Sequence, residues 1–134
     1  MARYEHLPIY RKSFELAIYL ERSVGNFGRY HKYGLGVRLL QAAQDVLARV
    51  VRAQNLYGGQ RCAELAELRV QHEVLKNLLH LAKEVQAFKS FKSYGHAAGL
   101  AVEVSKQTEG WLKSCRELRA PESRPVNPPT GERP

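Results

Sequence analysis

Apolar residues recur at the spacing of one helical face in four separate stretches of this chain, and the last is the most regular. Ala97, Ala101, Val104, Thr108, Trp111, Cys115 and Leu118 advance by alternating steps of four and three residues. An average step of about 3.5 is the seam of a helix packed at a shallow angle against its neighbours. Near the start, Ile9, Ser13, Leu16, Leu20, Val24 and Phe27, with Ala17 beside them, predict a first helix from about Leu7 to Asn26. Pro8 is tolerated in its opening turn, where the missing N–H has no partner to lose. Gly25 and Gly28 stop it.

A second helix begins between Tyr33 and Gly36 and reaches about Tyr57, with Leu39, Ala43, Val46, Val50 and Ala53 as its seam and Leu35, Ala42 and Leu47 widening it. Gly58-Gly59 makes so short a break that the next helix folds back as a hairpin. The third helix, from about Gln60 to Phe88, has the seam Leu65, Leu68, His72, Leu75, Leu79, Ala82 and Gln86. Leu78, Leu81 and Val85 widen that face, so this helix is expected to touch more than one neighbour, with Leu78 on a self-association surface. A linker, Lys89 to Gly95, leads into the fourth helix, which ends at about Leu118. Period-two alternation is absent, so no strand competes. The expected fold is all-α: an up-down-up-down antiparallel four-helix bundle over residues 1–118. Residues 119–134 hold five of the six prolines and almost nothing apolar, and are expected to form a disordered tail.

Composition narrows the function more than the fold. The chain carries 21 Lys+Arg against 13 Asp+Glu, a formal net charge of +8. Such an excess attracts nucleic acid, an acidic protein face or an anionic membrane. No segment has the length or apolarity of a membrane span, and the opening residues do not read as a signal peptide. Cys62 and Cys115 both fall inside helical patterns, where free cysteine behaves as a small buried hydrophobe; a soluble protein of the reducing cytoplasm is expected.

Chemistry that would make an enzyme is not assembled. His72 and His80 are eight residues apart and do not share a ligand face. His72, on the seam, is expected to be a hydrogen-bonded core or interface histidine. Ser13, Ser105 and Ser114 have no base at a supporting spacing. Trp111 after Gly110 reads as a core anchor, the glycine letting a neighbouring helix approach. No catalytic residue, metal or cofactor is expected.

Basic residues gather instead. In an up-down-up-down bundle the first and third connectors share an end, which brings Arg29, His31, Lys32 and Arg38 toward Lys89 and Lys92, with Tyr30, Tyr33, Phe91 and Tyr94 interleaved. Cations that neutralise phosphates beside rings on which bases stack are the ingredients of sequence-tolerant nucleic-acid binding. The plainer alternative is that these rings cap the core and the cations stay solvated. Arg69, Lys76 and Lys83 recur every seven residues as a second basic stripe, a candidate partner surface. Its plainer alternative is a solvated face shared with Glu64, Glu67, Glu73 and Glu84.

Four motifs carry a family resemblance. Leu7-Pro8-Ile9-Tyr10-Arg11-Lys12-Ser13-Phe14-Glu15-Leu16-Ala17-Ile18-Tyr19-Leu20 resembles the opening helix of the accessory variability determinants of diversity-generating retroelements. Tyr33-Gly34-Leu35-Gly36, Leu81-Ala82-Lys83-Glu84 and Gly110-Trp111-Leu112-Lys113-Ser114 match the same family in order. The bundle proteins encoded in intervening sequences of bacterial 23S ribosomal RNA genes are similar too. The first resemblance implies a basic, non-enzymatic subunit of a ring-like homo-oligomer, a pentamer. It also implies binding to the element's reverse transcriptase and to RNA or DNA, in support of mutagenic reverse transcription and retrohoming. The second implies self-association without a polymerase partner. Residues 89–98 depart from the family pattern in being more basic and more aromatic, and the proline-rich tail is not part of it.

Overall fold

Each of the four apolar stretches becomes a long helix. The computed structural model describes the backbone of residues 7–123 and the side chains of residues 7–118. It contains α1 (Pro8–Gly25), a single helical turn α2 (Arg29–Lys32), α3 (Leu35–Gln54), α4 (Gly58–Glu84) and α5 (Phe91–Ser123), and no strand among the described residues. α1 packs on α3 and α5, and α4 packs on the same two helices. The four long helices therefore stand at the corners of a square, with chain direction alternating from one to the next.

The core is the meeting of the seams. Leu16, Leu20, Leu39, Leu65, Leu68, Leu75 and Leu79 are all but inaccessible to solvent. Each contributes roughly 1.5–3 kcal/mol of apolar burial. α1 and α3 approach closely at one point. A Cβ built on Gly36 would lie 2.6 Å from Val24 Cγ1 and 3.1 Å from the His31 carbonyl oxygen. This is the physical role of the second glycine in the Tyr33–Gly36 motif.

Several expectations need correcting. The third helix ends at Glu84 rather than Phe88. The Ala87 N–H donates to the Ala82 carbonyl and the Gln86 N–H to that of Lys83, with Gln86 at φ 59°. This is a six-to-one helix stop normally built on glycine, so Gln86 is turned out to solvent instead of closing the seam. The linker after it is shorter than expected. Ser90 Oγ accepts the Ser93 N–H at 3.1 Å and caps α5, which begins at Phe91. At its other end α5 continues to Ser123, past Leu118; the remainder of the expected tail lies outside the described residues.

In α5 the deepest position passes to Leu112, fully buried, while Trp111 stays half-exposed at the rim. A straight helix at 3.6 residues per turn drifts away from a strict seven-residue repeat, and here the drift moves the seam by one residue. Among the described residues no atom of another element lies within 4 Å of a Cβ built on Gly110, so that glycine serves no close approach of the described helices. Leu78 packs against the core, and the large exposed apolar residues of α4 are Val70, Val74 and Leu81, with Val85 just past its end.

The largest correction concerns the cysteines. Cys62 and Cys115 are joined in a disulfide, Cα atoms 5.9 Å apart, tying the start of α4 to α5. The case for a reducing compartment rested on free thiols and lapses with them. No helix among the described residues is long and apolar enough to cross a membrane.

Candidate nucleic-acid interface

The two connectors expected to share an end do meet. Phe27, just beyond α1, packs edge-on against Phe88, just before α5, with ring centroids 5.1 Å apart. Both rings are buried and close the core at that end. Below them the Tyr19 hydroxyl lies 3.3 Å from Ser93 Oγ, and its ring lies 4.4 Å from that of His96, fixing the first turns of α5 against α1.

Around this apolar plug the aromatic residues divide into two groups. Phe27 and Phe88 cap the core, and of the four rings expected at this end Tyr94 is half-buried against Phe88. Tyr30, Tyr33 and Phe91 are 87%, 69% and 75% exposed. Rings this open make no sizeable contribution to the core. They remain available for stacking.

The cations divide as well. Arg29 and Lys32 stand on α2, Arg38 in the first turn of α3, Lys89 on the turn before α5 and Lys92 at its second position. Among the described residues none of these five pairs with a carboxylate; Lys32 Nζ lies 5.8 Å from the centre of the Tyr33 ring. The α4 stripe is different. Arg69 pairs with Glu109 at 3.6 Å, Lys76 with Glu73 at 2.8 Å and Lys83 with Glu84 at 3.1 Å. Lys76 also reaches Ser105 Oγ at 3.4 Å, so the stripe follows the seam between α4 and α5. It is a band of mixed charge, whereas the five connector cations have no carboxylate partner among the described residues. The hydrogen bond from Lys83, with its charge, holds the Glu84 carboxyl below the usual range, and Lys76 does the same for Glu73.

Lys83 belongs as much to the connector end as to the stripe. Its Nζ sits 5.5 Å from the centre of the Tyr94 ring. With Gln86, Phe88, Lys89 and Phe91 these two residues line a pocket of about 420 Å³ at the α4–α5 turn. A second concavity of about 440 Å³, between the start of α1 and the Gly110-Trp111 stretch of α5, is apolar. Beside it Arg61 donates to the carbonyls of Ala53 and Gln54 and lies 5.7 Å from the Trp111 ring. That guanidinium caps α3. The pocket at the α4–α5 turn combines two lysines, the open Phe91 ring and the Gln86 amide.

His72 is buried, as expected, with Nε2 at 2.9 Å from Thr108 Oγ1. Among the described residues no three His, Cys, Asp or Glu side chains gather as a metal site would require. The family model described as bAvd-like matches residues 9–115 of the chain. No curated protein matches it.

Proposed function

Because the chain belongs to the bAvd-like family, we propose that it is a non-enzymatic accessory subunit that binds RNA or DNA through its connector end and serves a retroelement reverse transcriptase. The observation that carries this reading is that the connector segments carry both the exposed rings and cations with no carboxylate partner among the described residues. Phosphates are held by charge with little regard to sequence, and rings stack on whichever base is presented. A protein assisting mutagenic copying, in which the product strand varies from one copy to the next, needs such tolerance.

The exposed Val70, Val74 and Leu81 on one side of α4, with Val85 just past its end, support self-association into a ring, with a pentamer as the proposed state. Repetition around a ring multiplies weak phosphate contacts into avidity. The α4 stripe is the proposed polymerase-facing surface. Its pairs are largely solvent-exposed, hold little energy and exchange readily for partners on another protein. Mixed charge suits a protein surface better than a polyanion.

The test replaces Arg29, Lys32, Lys89 and Lys92 together by Ala and follows binding of fluorescent single strands by anisotropy across a salt series. Counterion release gives a slope of about −0.7 per neutralised phosphate on single strands. The variant should bind more weakly and lose roughly two to three units of slope per protomer, with helicity and assembly size unchanged. Unchanged affinity and slope would remove the connector end as the interface.

A further inference from the structure

We propose that the pocket at the α4–α5 turn receives one unstacked nucleotide of a single strand, its base against Phe91 and its phosphate at Lys89. The proposal rests on the nucleic-acid reading above and adds to it a specific seat for a base.

Three features of the pocket carry this. Its volume of about 420 Å³ is that of a small-molecule site, which typically measures about 300–1,000 Å³. Its rings are arranged unequally. Tyr94 is held on one side by Phe88, at 5.8 Å and 67°, and on another by Lys83, at 5.5 Å. Among the described residues Phe91 has one aromatic neighbour, Tyr94, at 5.8 Å, and it is 75% exposed. A phenyl ring so placed leaves apolar area in water unless a flat partner covers it, and a nucleobase is flat on both faces.

The third feature is the placement of polar groups. Lys89 lines the pocket and pairs with no carboxylate among the described residues, which leaves its ammonium for a phosphate oxygen. Lys83 lies beside Glu84 and near the Tyr94 ring, so its charge is partly neutralised and Lys89 is the less compensated cation of the pocket. Gln86, exposed at the positive-φ position that ends α4, stands at the edge of the same pocket. Its amide offers both a donor and an acceptor to a base edge, matching any of the four bases in part and none uniquely. A single protein side chain seated here would either pair with the Lys89 charge or cover the Phe91 face, whereas a nucleotide does both. A duplex could not offer a base to Phe91 without opening.

The experiment uses the full chain and two fluorescent strands of equal length: oligothymidylate and a backbone of abasic units carrying the same phosphates. The unaltered protein should bind oligothymidylate more tightly. Phe91→Ala should weaken oligothymidylate by at least about fivefold, the size of one lost base–aromatic stack, and leave the abasic strand unchanged. Phe91→Tyr should keep the preference. Lys89→Ala should weaken both strands alike and flatten the salt dependence. A strand carrying iodouracil, irradiated in the complex, should cross-link to Phe91 or Tyr94. Circular dichroism of each variant establishes that α5 still forms.

Equal binding of the two strands by the unaltered protein overturns the pocket, as does a Phe91→Ala variant of unchanged helicity that weakens both alike or neither. If the four-cation variant then abolishes binding, the broader interface stands and only the base seat falls. If the unaltered protein binds neither strand, the nucleic-acid reading falls with it.

Discussion

At the scale of single residues, His72 shows how one buried polar contact sets a pH dependence. The Thr108 hydroxyl donates to the Val104 carbonyl at 3.0 Å, so it accepts from His72, whose Nε2 must carry the proton. Nδ1 is then an unprotonated nitrogen, buried and without a partner. Burial, aided by Lys76 and opposed by Glu73, pushes the imidazole down from 6.5 to about 4. Between those values the unfolded chain binds a proton that the folded chain refuses. Stability is therefore full above pH 6.5 and is lost as pH falls toward about 4, by a total of about 3 kcal/mol at most. His72→Leu should abolish that component of the slope in urea melts across this range. A slope unchanged by the substitution would place the titration elsewhere.

Between elements, the seams were readable and their registers were not. Periodicity is local, so Leu16, Leu20, Leu39, Leu65, Leu68, Leu75 and Leu79 declare their burial through neighbours a few residues away. Whether Cys62 meets Cys115, or Arg69 meets Glu109, depends on how far one helix slides along another. Nothing within a single helix records that. The end of α4 was hidden for a different reason: a glutamine takes the left-handed position where glycine would have announced the stop. For the candidate site, topology alone brought the two connectors together. Which rings would plug the core and which would stay open depended on Phe27 meeting Phe88.

The outer face of α4 shows the same division between pattern and register, and it changes a prediction. Leu78 packs on the core, so Leu78→Asp should unfold the subunit, costing about 2–5 kcal/mol. Val70→Asp with Leu81→Asp falls on residues 58% and 48% exposed. That pair should change monomer stability by no more than about 1 kcal/mol, yet lower the assembly state. Light scattering beside a thermal melt separates the two effects. Assembly that survives the double substitution would move the subunit contact to another face.

Over the whole molecule, the two ends of the bundle are built differently. At one end the disulfide, together with Arg61 on the last carbonyls of α3, holds α3, α4 and α5. The candidate interface lies at the other, roughly 30 Å away along α4. The cross-link closes a loop 53 residues apart in sequence, which corresponds to about 2–4 kcal/mol of stability. Reduction, or Cys115→Ser, should lower the melting temperature accordingly while nucleic-acid affinity stays the same. Loss of affinity in step with stability would mean that the ends are coupled.

The bond between Cys62 and Cys115 also makes the segment between them a covalent ring, with the rest of the chain attached at either side. The turn at residues 85–90 lies on that ring. A protease that severs the backbone there opens the ring without dividing the molecule. The cleaved protein migrates as one species until a reductant is added, and then as two. The candidate interface can thus be cut through its own loop while every helix remains tethered to the bundle, so the intact loop and its four helices can be tested separately for what each contributes to holding a strand.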